Sequence, residues 1–173
     1  MNMPDQTPAA GPRRRVLSML VEDHPGVLAR VSGMIRRRGF NVHGLSVGPI
    51  DSRGRSRMTL SVDAGHAEVD QIEKQLDRLI EVIDIEDLTD EPNFSRELAL
   101  LKIEVPSARQ ADLVAAVNDQ GCRVLEQGDR YVVAEFAGKF ETVEEVVNLL
   151  RQFGTVEIAR SGPVAISRGA RTK

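Results

Sequence analysis

What most constrains this chain is an order of segments that occurs twice: an apolar stretch, a helical segment, two strand-like stretches joined by a polar turn, a second helical segment and a last strand. In the first run, Val16-Leu17-Ser18-Met19-Leu20-Val21-Glu22 reads as a buried strand stopped by Asp23-His24-Pro25-Gly26. Val27, Leu28, Val31, Met34 and Ile35 then recur at helical spacing. Asp23 or His24 is expected near the N-cap, Pro25 in the first turn, and Gly39 at the end of the helix. Residues 40–47 are strand-like although Gly44 breaks the alternation, Asp51-Ser52-Arg53-Gly54 has hairpin-loop composition, and residues 58–62 alternate at period two. Val69, Ile72, Leu76 and Leu79 mark a second helix, and residues 82–88 a fourth strand.

A polar stretch, Thr89-Asp90-Glu91-Pro92-Asn93, precedes the second run. Residues 97–105 read as a strand, and Ser107 is a plausible N-cap for a helix bearing Leu113, Val114 and Val117 and ended by Gly121. Residues 123–126 and 130–136 form a hairpin around Gly128-Asp129. Thr142 and Glu145 have the spacing of a capping box, Val146, Leu150 and Phe153 form an apolar helix face ended by Gly154, and residues 155–159 are the last strand. Strand-helix-strand-strand-helix-strand is the split βαβ unit of the ferredoxin-like fold. The expected class is therefore α+β, with two such βαββαβ domains in tandem. The expected boundaries are a disordered tail at 1–13, a first domain at 14–89, a linker at 90–95 and a second domain with its tail at 96–173.

Composition removes several function classes. The net charge is -3, against the clustered Lys and Arg that non-specific nucleic-acid binding needs. Arg13-Arg14-Arg15 reads as tail, and Arg36-Arg37-Arg38 as the last turn of a helix, where cations suit the dipole. With no Trp, one Tyr and five Phe, few aromatic side chains could stack on bases. No apolar run approaches the roughly 20 residues that span a bilayer, and residues 1–15 lack the apolar stretch of a signal peptide, so the expectation is a cytoplasmic protein with no membrane and no nucleic-acid partner. Cys122 is the lone cysteine and reads as a small buried hydrophobe. His24, His43 and His66 match no metal spacing, and no phosphate loop, nucleophile elbow or H-E-x-x-H occurs. Acidic pairs such as Glu144-Glu145 read as solvated helix faces. No catalytic constellation or metal site is expected.

The turn at Asp23-His24-Pro25-Gly26 carries the most chemistry. It joins a buried strand to a helix whose first amides can receive an anion, and Gly26 removes a side chain from that spot. A carboxylate could rest on the amides near Gly26 and Val27 while Asp23 faces an ammonium group and Asn41 both donates and accepts. Those are the needs of an amino-acid backbone. The same residues equally make an ordinary strand-helix turn, and the residues alone leave both readings standing.

Longer motifs add a resemblance. Glu22-Asp23-His24-Pro25-Gly26-Val27-Leu28-Ala29-Arg30-Val31 resembles the E-N-x-P-G-V-L-x-R-V opening of an ACT domain, in the version found in small regulatory subunits of acetolactate synthase (acetohydroxyacid synthase). Arg38-Gly39-Phe40-Asn41-Val42, Leu45-Ser46-Val47-Gly48-Pro49, Ser56-Arg57-Met58-Thr59 and Gln71-Ile72-Glu73-Lys74-Gln75-Leu76 are similar to further motifs of that family. So are Glu97-Leu98-Ala99-Leu100-Leu101-Lys102 and Ala159-Arg160-Ser161-Gly162-Pro163-Val164-Ala165-Ile166-Ser167-Arg168-Gly169. The likeness runs in order from about residue 15 to residue 169.

The resemblance implies a chain with no active site of its own. Its partner would be the thiamine-diphosphate-dependent large subunit, where thiamine diphosphate, magnesium and FAD are expected, and this chain would hold no cofactor. It would raise that subunit's activity and make it sensitive to feedback by valine or another branched-chain amino acid. Family members dimerise through their ACT domains, and the effector sits where one chain's strand-helix loop meets the other copy. Gly26 and Asn41 match effector positions, and the implied site comprises Asp23, His24, Pro25, Gly26, Val27, Leu28, Asn41 and Val42. Asp23 departs from the family's usual Asn, and an ionised carboxylate there would repel an effector's carboxylate by roughly 1 to 4 kcal/mol at contact. His43 and Gly44 also depart, standing where Glu and Ser are common. The opening motif alone fits equally a free-standing ACT-type sensor acting on another partner.

Overall fold

The computed structural model describes residues 13–169, the side chains of His66 and Ala67 excepted, as two compact units. The expected disordered tail falls almost wholly outside the described residues. The first unit comprises residues 13–43 and 47–91, and the second residues 44–46 and 92–169.

In the first unit the order is β1 (Arg13–Glu22), α1 (Val27–Arg37), β2 (Val42–Asp51), β3 (Arg55–Ala64), α2 (His66–Leu76) and β4 (Val82–Asp87). The strands lie β2-β3-β1-β4, which puts β1 and β3 in the middle and β2 at an edge. Antiparallel register sets Leu17 opposite Leu60 and Met19 opposite Met58, all four fully or almost fully buried. Val27, Val31, Met34 and Ile35 of α1 and Val69, Ile72 and Leu76 of α2 are buried with them, as their helical spacing predicts. Each such side chain contributes about 1.5 to 3 kcal/mol when removed from water.

One expectation is corrected here. Arg13, Arg14 and Arg15 are not tail but the start of β1. Arg15 is buried, its Nη1 lying 2.8 Å from Asp90 and 3.8 Å from Asp87, and Arg13 pairs with the same Asp90. An acidic pair some 75 positions along the chain thus extends the strand, which local composition could not show. Arg36 and Arg37 do occupy the last turn of α1, as expected, and Gly39 follows at φ 74°.

The second unit runs β5 (Asn93–Glu104), a 3-10 turn (Ser107–Arg109), α3 (Gln110–Asp119), β6 (Arg123–Gln127), β7 (Tyr131–Gly138), α4 (Phe140–Leu150), β8 (Thr155–Arg160) and β9 (Val164–Ser167). Its sheet order, β6-β7-β5-β8, is that of the first unit, so both are ferredoxin-like. Ala99, Leu101 and Ile103 of β5 form the core with Leu113, Val117, Val132, Ala134, Val143, Val146, Val147 and Leu150. Cys122 joins this core, and burial pushes its thiol pKa up.

Here the sequence reading needs four corrections. β5 begins at Asn93, inside the stretch expected as linker. The stretch after β8 is not a bare tail: it turns at Gly162 (φ 73°) and pairs with the start of β5 as β9, Phe94 opposite Ile166. Ser161 makes the corner, its N–H donating to Leu98 O and its Oγ accepting from Leu98 N, both at 3.0 Å. Ser107 caps no α-helix but opens the 3-10 turn, its Oγ donating to Asp129 O. Nor is there a capping box at Thr142, because α4 starts at Phe140 with Lys139 as N-cap. Starting there brings the Phe140 ring under Arg160, 4.8 Å from its guanidinium.

Candidate functional site

His24-Pro25-Gly26-Val27 is a tight turn, with Val27 N–H directed at His24 O at 3.4 Å. Proline at the second position and glycine at the third, here at φ 100° and ψ -19°, is the type II arrangement, since only the third position needs a positive φ. This corrects the expected capping. The N-cap of α1 is Gly26, and neither Asp23 nor His24 caps the helix with a side chain. Arg30 N–H is the first amide to bond back regularly, to Gly26 O at 3.0 Å. The preceding amides of Leu28 and Ala29 have no acceptor among the described residues. Three features thus coincide: the positive end of an eleven-residue helix, unsatisfied donors, and a glycine with nothing within 4 Å of where a Cβ would stand.

The other candidates take their places around this turn. Asp23 is exposed, its N–H donating to Gly54 O at 2.7 Å while its carboxylate bonds no described residue. His24 is about half exposed; its Nδ1 lies 3.1 Å from Pro25 O and its Nε2 3.0 Å from Glu22. The Pro25 carbonyl raises the His24 pKa above the ordinary imidazole value, desolvation opposes it, and Glu22 adds to the rise. Val27 is buried and anchors the helix, whereas Leu28, beside it, is 47% exposed.

Asn41 and Val42 stand apart from the turn in sequence, at the start of edge strand β2. The Asn41 side-chain amide lies 3.3 Å from His43 Nε2, which in turn lies 2.5 Å from Asp63. No bond joins Asn41 to the Asp23–Gly26 turn among the described residues. A single copy of the chain therefore presents two separate halves: bare helix amides on the turn and an amide-imidazole-carboxylate chain on the edge.

The sequence reading missed one group beside the turn. Glu81 is buried, its backbone O accepts from Glu22 N at 2.9 Å, and its Oε1 lies 2.8 Å from Arg30 of α1. Its Oε2 is buried without a partner. Through its carboxylate and its backbone oxygen, this residue ties the first turn of α1 to the end of β1. Nothing local in Leu79-Ile80-Glu81-Val82 signals it, because the contact is made across 51 positions of chain. A cleft of about 580 Å³ in the second unit, lined by Lys102, Glu104, Tyr131 and Gly154 among others, includes none of the candidate residues. Among the described residues no group of His, Cys, Asp and Glu could hold a metal ion, and no helix is long and apolar enough to cross a membrane.

Comparison with known proteins places the chain in a family. Residues 17–84 match the family described as AHAS small subunit-like ACT domain, and residues 96–169 the family described as small subunit of acetolactate synthase. The chain is 42% identical over 160 residues to the acetolactate synthase small subunit of Mycobacterium bovis, covering 92% of this chain and 95% of that one. It is 40% identical to that of Mycolicibacterium smegmatis, with 93% and 95% covered. The crystal structure of the acetolactate synthase small subunit from Thermotoga maritima superposes with a TM-score of 0.80 at 32% identity, over 91% of this chain and 99% of that one. With both units matched in order and nearly full length covered, the chain belongs to the acetolactate synthase small-subunit family, whose members are the regulatory, non-catalytic subunits of that enzyme.

Proposed function

We propose that this chain activates a thiamine-diphosphate-dependent large subunit and makes it sensitive to feedback by valine or a similar branched-chain amino acid, bound between two copies of its first unit. The observation that carries this reading is the uncapped start of α1 behind Gly26, which offers amide donors and a positive dipole end to a carboxylate. Asp23, with its carboxylate unengaged, suits the ammonium group of the same ligand. Asn41 and Val42, from the edge strand of a second copy, complete the site.

Support for the second copy comes from the edge itself. Val42, Val47 and Ile50 of β2 and Leu28 of α1 are each between 42% and 47% exposed, an apolar set beside a sheet edge where strand pairing or side-by-side packing would cover it. A short aliphatic side chain buried there gains about 1.5 to 3 kcal/mol. Micromolar affinity requires about 8 kcal/mol, so the polar contacts must supply the larger share. Feedback then needs the ligand to favour one arrangement of the pair over another, and a coupling of about 1 to 3 kcal/mol shifts the large subunit's state by roughly 5- to 150-fold.

The test is calorimetric titration of the purified chain with valine, leucine and isoleucine, repeated with the large subunit present and its activity followed. Saturable binding of one of them, with matching inhibition of the reconstituted enzyme, is expected. Absence of binding in both settings would remove the effector reading, and unchanged large-subunit activity on adding the chain would remove the activating one.

A further inference from the structure

The second unit exposes an apolar face that its own core does not use. Along β5, alternation sends Ala99, Leu101 and Ile103 into the core and Phe94, Arg96, Leu98 and Leu100 to the opposite side. Across the ladder from Phe94 and Arg96 stand Ile166 and Val164 of β9, on the same side of the ribbon. The exposures are large for aliphatic and aromatic side chains: Phe94 50%, Leu98 and Leu100 41% each, Val164 56% and Ile166 57%. Ala165, pointing the other way, is buried, so the ribbon is held from behind and its outer face is presented to solvent. Singly exposed hydrophobes are ordinary, but three gathered by the β5–β9 ladder and continued along β5 by Leu98 and Leu100 form a patch of the kind that marks an interface.

Charge says what kind of partner fits. Among the described residues the β5–β9 ribbon itself contains two cations, Arg96 and Arg168, and no acidic residue, while at the far end of the face Glu135, opposite Leu100, is already paired with Arg123. The Arg168 guanidinium lies 4.5 Å over the Phe94 ring, and Arg96 donates to its own neighbour, Ser95 O, at 2.7 Å. Neither pairs with a carboxylate among the described residues. A second copy docking through the same patch would bring like charges together around the apolar centre, an arrangement that opposes association. A different protein, carrying an apolar socket bordered by Asp and Glu, satisfies both features.

We infer that this face, built from the start of β5 and from β9, docks the large catalytic subunit through such a socket. The inference rests on the reading of the chain as that subunit's partner, and it gives the segment after β8 a purpose, since that segment supplies half of the docking ribbon.

The experiment uses the full chain and its large subunit, with affinity measured by interferometry over a range of salt. Phe94→Ser combined with Ile166→Ser is expected to weaken association on the order of 30-fold, as loss of interface anchors does. Arg96→Glu combined with Arg168→Glu, which leaves the apolar side chains in place, is expected to weaken it as well and to reverse the salt dependence. Both variants should keep the wild-type unfolding temperature and the wild-type calorimetric response to valine. Wild-type affinity for the large subunit in both variants overturns the proposal. So does a change from dimer to monomer in light scattering with large-subunit affinity intact, which would assign the face to a second copy. Failure of the wild-type chain itself to bind the large subunit is a different result, and it removes the partner reading on which the inference rests.

Discussion

The two units leave their first strands in the same way and then diverge. In the first, Asp23 N–H bonds to Gly54 O, the residue before β3; in the second, Val105 N–H bonds to Arg130 O, the residue before β7. Past that shared bond, Pro25-Gly26 makes a type II turn and delivers α1 with bare amides. Pro106 instead leads into a 3-10 turn whose Arg109 N–H is satisfied by Pro106 O at 2.9 Å. Ser107 and Gln110 then tie that turn to the β6-β7 hairpin through Asp129 O and Gly128 O. One scaffold thus presents a helix end that stands open behind a glycine and another that is tied to the neighbouring hairpin. The difference lies in a few residues of loop, which is why the fold alone does not say which unit senses a ligand.

Breaking the receptive end should have the largest effect. Gly26→Asp places a carboxylate and a backbone strained at φ 100° where an effector's carboxylate would rest. Repulsion and strain together should cost effector binding on the order of 100-fold or more. Gly26→Ala carries the strain without the charge and should fall between this variant and wild type. Ser107→Asp, the matching insult in the second unit, should leave the response to valine unaltered. Calorimetry on the three purified variants checks the ranking; equal losses at positions 26 and 107 would erase the contrast between the units.

The turn before the last strand sharpens the comparison next. The first unit has Glu81 there, buried against Arg30, whereas the second has Gly154, where a Cβ would come 1.8 Å from Glu104 O. Backbone cannot yield as a flexible side chain does, so Gly154→Ala should destabilise the second unit by about 3 kcal/mol. Denaturant unfolding followed in the two units by amide exchange should show protection lost in β5 and β8 and retained in β1 and β3. Asn41→Ala follows at about tenfold weaker effector binding with unchanged stability, the lower end of what one hydrogen bond to a charged group is worth.

Periodicity made most of this architecture readable. Val31, Met34 and Ile35 fix α1, and Leu17 and Met19 fix the buried face of β1, because their spacing is the spacing of the elements themselves. What stayed hidden depends on partners distant in sequence. Val164-Ala165-Ile166-Ser167 is too short to declare itself a strand, and it becomes one only because Asn93–Arg96, some 70 positions earlier, offers a ladder. Arg13 and Arg15 look like tail until Asp90 is placed beside them. At the candidate site the turn into α1 was legible, since it is local, whereas Asn41 and Val42 stand apart from it in a single copy. The capping was not: Asp23 and His24 are both good caps by type, and the Pro25-Gly26 turn overrides them by fixing where the helix begins.

The smallest effect expected from the receptive end is its response to pH. The Pro25 carbonyl and Glu22 hold His24 protonated to higher pH than a free imidazole, with Glu81 adding to the same side. A folded pKa above the unfolded one means that the stabilisation is complete below the ordinary value, near 6.5, and fades as pH rises through the raised value. Because His24 is exposed, solvent screens most of that contribution. The same proton puts a positive charge beside the start of α1, so an effector's carboxylate should bind somewhat more tightly at pH 6 than at pH 8. In the second unit the corresponding loop has no titrating imidazole, and His24→Gln should give the first unit the same indifference. A titration of valine affinity against pH that keeps its slope in His24→Gln would move the origin of the effect to another group.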